Sequence, residues 1–94
     1  MDRAEASRIL EGELALFREE SYEELVRRVS ADSLHCERAG AAGSPYQVEI
    51  QFLWDGAPGG DILVMGSIDD GGWRAFLPLT RSFIKAADGS FVGE

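Results

Sequence analysis

Four aspartates stand in glycine-rich stretches: Asp55 and Asp61 flank Gly56-Ala57-Pro58-Gly59-Gly60, and Asp69-Asp70 precede Gly71-Gly72. Carboxylates on flexible loops are what a hard cation such as Ca²⁺ selects. The two stretches, however, close opposite ends of one expected strand, and about six steps of ~3.3 Å put roughly 20 Å between them. No single ion spans that distance. Neither loop has the twelve-residue calcium-loop spacing, so Asp and Gly are read here as turn formers and no metal is expected. His35 beside Cys36 invites a nucleophile and base, because a neighbouring imidazolium would favour the thiolate. Adjacent residues on a strand point to opposite faces, so the pair diverges. With one His and one Cys in the chain, metal ligation by these types is also excluded.

Glu13 is the more telling carboxylate. It falls inside the apolar arc of its helix, where a charge must either reach water, pair with an arginine, or line a pocket as an acid of raised pKa. A lone acid still lacks the partner that two-carboxylate mechanisms require. Trp54 and Trp73 read as core aromatics first and as a ligand-stacking wall second. No phosphate-binding glycine spacing precedes a helix, so the expectation is a protein that is not an enzyme and needs no cofactor.

These residues must be held by two helices and a sheet. Ile9, Leu10, Leu14, Leu16 and Phe17 fall within an arc of roughly 160° at 100° per residue, which predicts an amphipathic helix over about 3–20. Ser21 with Glu24 fits a capping box, so a second helix runs over 22–30, its Tyr22, Leu25, Val26 and Val29 on one face. From Tyr46 the period becomes two, and three antiparallel strands are expected over 46–54, 62–68 and 73–79. An edge strand over 33–38 and a hairpin over 82–92 about Asp88-Gly89 are further candidates, for an antiparallel layer of three to five strands.

Register decides which side chains share a face. With Asp69-Asp70-Gly71-Gly72 as a tight turn, Ile68 lies opposite Trp73, Gly66 opposite Ala75, Val64 opposite Leu77 and Ile62 opposite Leu79. Across the first turn Trp54 meets Ile62, Phe52 meets Val64, Ile50 meets Gly66 and Val48 meets Ile68. The helices should cover this apolar face, with Gly66 and Ala75 marking a shallow place for close approach. The opposite face then collects Leu53, Leu63, Met65, Arg74 and Phe76, an apolar patch with a polar rim. Either the C-terminal Phe83, Ile84, Phe91 or Val92 folds back over it, or a partner does.

The 94 residues fit a single domain, and Leu, Ile, Val and Phe supply 24 of them, enough to exceed the composition of a disordered chain. The net charge of −8 is shared evenly by the two halves and repels phosphate backbones, so nucleic acid is not an expected partner. A lone cysteine and the lack of a long apolar run suggest a soluble cytoplasmic protein rather than a secreted or membrane one.

The stretch Gly66-Ser67-Ile68-Asp69-Asp70-Gly71-Gly72-Trp73-Arg74-Ala75-Phe76, with Pro78-Leu79, Phe83-Ile84 and Asp88 to Glu94, resembles the C-terminal half of short bacterial proteins with no assigned activity. The resemblance covers mainly residues 46–94 and implies a helix-then-meander domain of bacterial origin. It implies no catalytic residue.

The expected fold is therefore α+β, two N-terminal helices on one face of an antiparallel meander. Three roles fit. The first is an interaction protein, a homodimer or a binder of another protein, using Leu53, Leu63, Met65, Arg74 and Phe76. The second is a carrier of a small apolar ligand, with a pocket of Glu13, Trp54, Gly66, Trp73 and Ala75. The third is an acidic inhibitor of a basic protein.

Overall fold

The structure is a computed structural model and describes residues 1–71 and 78–94. Helix α1 spans Arg3–Arg18 and starts at Asp2, whose carboxylate accepts from the Glu5 amide at 3.0 Å. That bond satisfies one of the helix's unpaired N-terminal donors. Its buried stripe is Ala6, Leu10, Leu14 and Phe17, whereas Leu16 stays 63% exposed, so the inward arc is narrower than expected. Helix α2 spans Tyr22–Val29, with Ser21 accepting from the Glu24 amide at 3.1 Å as the cap.

Four strands follow: β1 Leu34–Ala39, β2 Pro45–Trp54, β3 Ile62–Asp69 and β4 Leu79–Lys85, antiparallel and in chain order across one sheet. The domain is α+β, with α1 packed on β3 and β4 and α2 on β2. Between β2 and β3 the register is the expected one, Trp54 opposite Ile62 and Val48 opposite Ile68. The helix-facing side buries Tyr46, Val48, Ile50, Phe52, Ile62, Val64, Ile68, Leu79 and Phe83. Gly66 lies directly beneath α1: a Cβ there would stand 2.7 Å from Leu10 Cδ1 and 3.3 Å from Leu14 Cδ2. Only a residue without a side chain admits the helix this closely.

The strand beside β3 corrects the expected pairing. Ile68 lies opposite Leu79, Gly66 opposite Arg81, Val64 opposite Phe83 and Ile62 opposite Lys85, in place of Trp73, Ala75, Leu77 and Leu79. Pro78 supplies the reason, since a residue with no N–H is poorly placed inside a strand and well placed just before one. Of the strand expected over 73–79, all but Pro78 and Leu79 lies outside the described residues. The C-terminal hairpin turns at Asp88-Gly89, closed by Ala86 N–H to Ser90 O at 2.8 Å, and its return limb donates from Val92 N–H to Ile84 O at 2.9 Å. Gly89 there adopts φ +88°, a left-handed turn conformation natural to glycine.

Candidate functional site

The ladders sort every β side chain onto one of two faces. Facing away from the helices, Leu53 pairs with Leu63 and Leu63 with Ile84, so three apolar side chains form one row across three adjacent strands. Met65 stands in the next row, between Gln51 and Ser82, and Glu49, Ser67 and Thr80 form the row beyond it. Leu53 is 43% exposed, and Leu63, Met65 and Ile84 are half-buried. Of the expected interaction surface, Leu53, Leu63 and Met65 thus share a face, while Arg74 and Phe76 lie outside the described residues. Ile84, expected among the residues that could fold back over this patch, instead stands in its row, because β4 begins after Pro78 and sets it opposite Leu63.

Of the C-terminal residues, Val92, 43% exposed, lies opposite Ile84 at the end of this row, and Phe83 and Phe91 turn to the helix side. Phe83 points inward and is buried, and Phe91 packs edge-on against it at 5.8 Å between ring centroids. The Arg18 guanidinium stacks over Phe91 at 4.1 Å and pairs with Glu94, tying the tail to the end of α1 on the helix side. That ion pair raises the affinity of Arg18 for its proton and lowers that of Glu94.

Of the residues expected to form a pocket, the described Glu13, Trp54 and Gly66 do not share one cavity. Glu13 forms an ion pair with Arg38, holding β1 to α1 and making the guanidinium still harder to deprotonate. Arg38 lies opposite Tyr46 at the start of β2, and Trp54 ends that strand about 26 Å away at ~3.3 Å per residue. The space above Gly66 is filled by Leu10, Ile50 and Leu14. Trp73 and Ala75 lie outside the described residues.

Of the four aspartates, Asp69 binds within its own turn, Asp70 pairs with the Met1 ammonium at 3.4 Å, and Asp55 and Asp61 close their turn through the backbone. Asp55 N–H donates to Asp61 O at 2.8 Å at one end of β3, and Asp69 accepts from Gly71 N–H at 2.8 Å at the other. Among the described residues no cluster of three or more His, Cys, Asp or Glu is placed to hold a metal ion. His35 points outward opposite Glu49, its Nε2 3.4 Å from the carboxylate, and Cys36 points inward opposite Val48. Their divergence follows from the strand's alternation.

Glu5 is a polar anchor that sequence reasoning passed over. Its carboxylate accepts from Tyr46 Oη at 2.8 Å and from the Ala41 amide at 2.7 Å, fastening the β1–β2 turn to the first turn of α1. The hydrogen bond and the negative charge push the Tyr46 phenol above its ordinary range. Its spacing from Tyr46 carries no local signal, since the two meet only after the sheet has folded.

No protein-family model, curated protein or solved structure matches this chain. Among the described residues no helix is long and apolar enough to cross a membrane.

Proposed function

We propose that this chain is a non-enzymatic protein-interaction module of the reducing cell interior, and that its partner seats on the outer face of the sheet. The row of Leu53, Leu63 and Ile84, with Met65 beside it, carries the reading. These side chains give a contact a desolvated centre, and Gln51, Glu49, Ser67 and Ser82 give it a polar rim. The occupant that fits this face is a protein with an apolar patch set in a basic surround, because the field of a chain of net charge −8 steers such a partner toward it. A small-ligand carrier is disfavoured by the filled space above Gly66.

A photo-crosslinking residue at position 53 tests the reading. The expected adduct is one protein species, absent when the crosslinker is moved to the exposed helix position Arg8. Binding of that species should weaken at least tenfold in Leu53→Asp and should also weaken as salt rises. An adduct equally strong at both positions, or binding untouched by Leu53→Asp, would refute it.

A further inference from the structure

The two edges of the sheet are not equivalent. At β4 the C-terminal return limb occupies part of the free edge, with Lys85 bridged to Phe91 and Val92 N–H bonded to Ile84 O. At β1 no strand lies beyond Leu34–Ala39 among the described residues, and the side chains of this strand are exposed except at half-buried Cys36. An open row of backbone donors and acceptors is a template for a further strand.

The bonding phase of that edge can be worked out. Gly40 N–H donates to Ser44 O at 2.9 Å, and the same register sets Ala39 opposite Pro45, which has no N–H to give. Bonded and non-bonded pairs alternate in an antiparallel ladder, so Leu34, Cys36 and Arg38 spend their backbone groups on β2. His35 and Glu37 therefore turn theirs to the open edge, where the Glu37 carbonyl accepts from the exposed Arg38 Nη1 at 3.0 Å, a bond that an incoming strand's N–H replaces.

We propose that a second copy of this chain docks antiparallel along β1, about a two-fold axis through Cys36, to make one continuous eight-stranded sheet. A two-fold axis perpendicular to the sheet keeps like faces together, so only registers that pair residues of the same face are available. Centring on Glu37 would set that carboxylate against its own copy, a destabilising like-charge pair. Centring on His35 would set imidazole against imidazole and carry rungs beyond the start of β1. Centring on Cys36 sets His35 opposite Glu37 of the partner subunit twice over, with the outward backbone groups of both residues in bonding phase.

The same register sets Leu34, 38% exposed, opposite Arg38 of the partner subunit, whose aliphatic stem covers apolar surface. About four backbone hydrogen bonds form in the two His35–Glu37 pairs. Cys36 meets its copy in a non-bonded pair, where Cα atoms stand about 4.5 Å apart, within the span of a disulfide. The assembly presents both outer faces on one side, though the dimer itself does not rest on what binds there.

Two measurements on the full chain decide this. Sedimentation equilibrium from about 1 µM to about 1 mM should show conversion of the 10.3 kDa monomer to a dimer. Glu37→Pro deletes an outward N–H that β2 does not use, and it should raise the dissociation constant at least tenfold, while Leu53→Asp leaves it unchanged. Incubating the wild-type chain with oxidised glutathione should give a disulfide that peptide mapping assigns to Cys36 of both copies, the two thiols reducing one glutathione disulfide to two glutathiones. This second readout needs no variant to fold. A monomer at every concentration, a dimer that persists in Glu37→Pro and is lost in Leu53→Asp, or no Cys36 disulfide above the level seen in urea would overturn the proposal.

Discussion

Lys85 occupies an inward position of β4 that the alternation rule reserves for an apolar side chain. Its Nζ donates to the carbonyls of Arg18 and Glu20 at 3.2 and 2.7 Å, which are among the acceptors left over where α1 ends. Lys85→Met keeps the stem and deletes the donors, so it should lower stability by about 1–3 kcal/mol with an unchanged urea m-value. Gly66→Ala should also destabilise, by about 1–3 kcal/mol, because the added methyl meets Leu10, which is fully buried and has nowhere to move. The Glu5–Tyr46 bond predicts a pH dependence of definite sign. A phenol whose folded pKa is raised above 10.0 contributes stability that is complete below pH 10.0 and is lost as pH climbs through the folded value. In Glu5→Gln the ultraviolet titration of Tyr46 should shift back toward 10.0, and the alkaline loss of stability should shrink.

At the level of elements, periodicity and caps located both helices, the first two long strands and the edge strand, because each of these is specified by residues close in sequence. The same dependence on local pattern puts the partner of β3 too early in the chain. Trp73, Ala75, Leu77 and Leu79 alternate more cleanly than Leu79, Arg81, Phe83 and Lys85, and the second set makes sense only beside α1. Arg81 faces Glu11 at 3.6 Å and Lys85 caps the helix end, so two charged residues serve a side that pattern reading expects to be apolar. Pro78, with no N–H to give a ladder, is the local feature that marks the boundary before β4. The candidate surface was legible to the same extent: Leu53, Leu63 and Met65 came from the β2–β3 register, and Ile84 depended on a strand that local pattern did not locate. The narrowed stripe of α1 is itself testable. Leu14→Ala should cost about 2–5 kcal/mol in urea unfolding, whereas Leu16→Ala should stay within about 0.5 kcal/mol, although both positions lay in the expected arc.

For the molecule as a whole, cohesion is uneven across the sheet. β2 and β3 are paired on both sides and lie beneath the helices, while β1 is paired on one side and is held from above by the Glu13–Arg38 ion pair and the Glu5 anchor. Regions with few buried apolar contacts open with free energies well below that of global unfolding. Amide exchange should therefore rank the β2 and β3 amides with the global transition and the β1 amides below it. Within β1 the dilute monomer should show a two-residue alternation, Leu34, Cys36 and Arg38 protected by β2 and His35 and Glu37 exchanging freely. Arg38→Ala should speed exchange at Leu34, Cys36 and position 38 while leaving the slowest β3 amides unchanged, because the ion pair holds an edge rather than the core. Uniform protection along β1 in the dilute monomer would mean that its outward groups are bonded within the chain itself, and the bonding phase inferred from Gly40 and Pro45 would have to be abandoned.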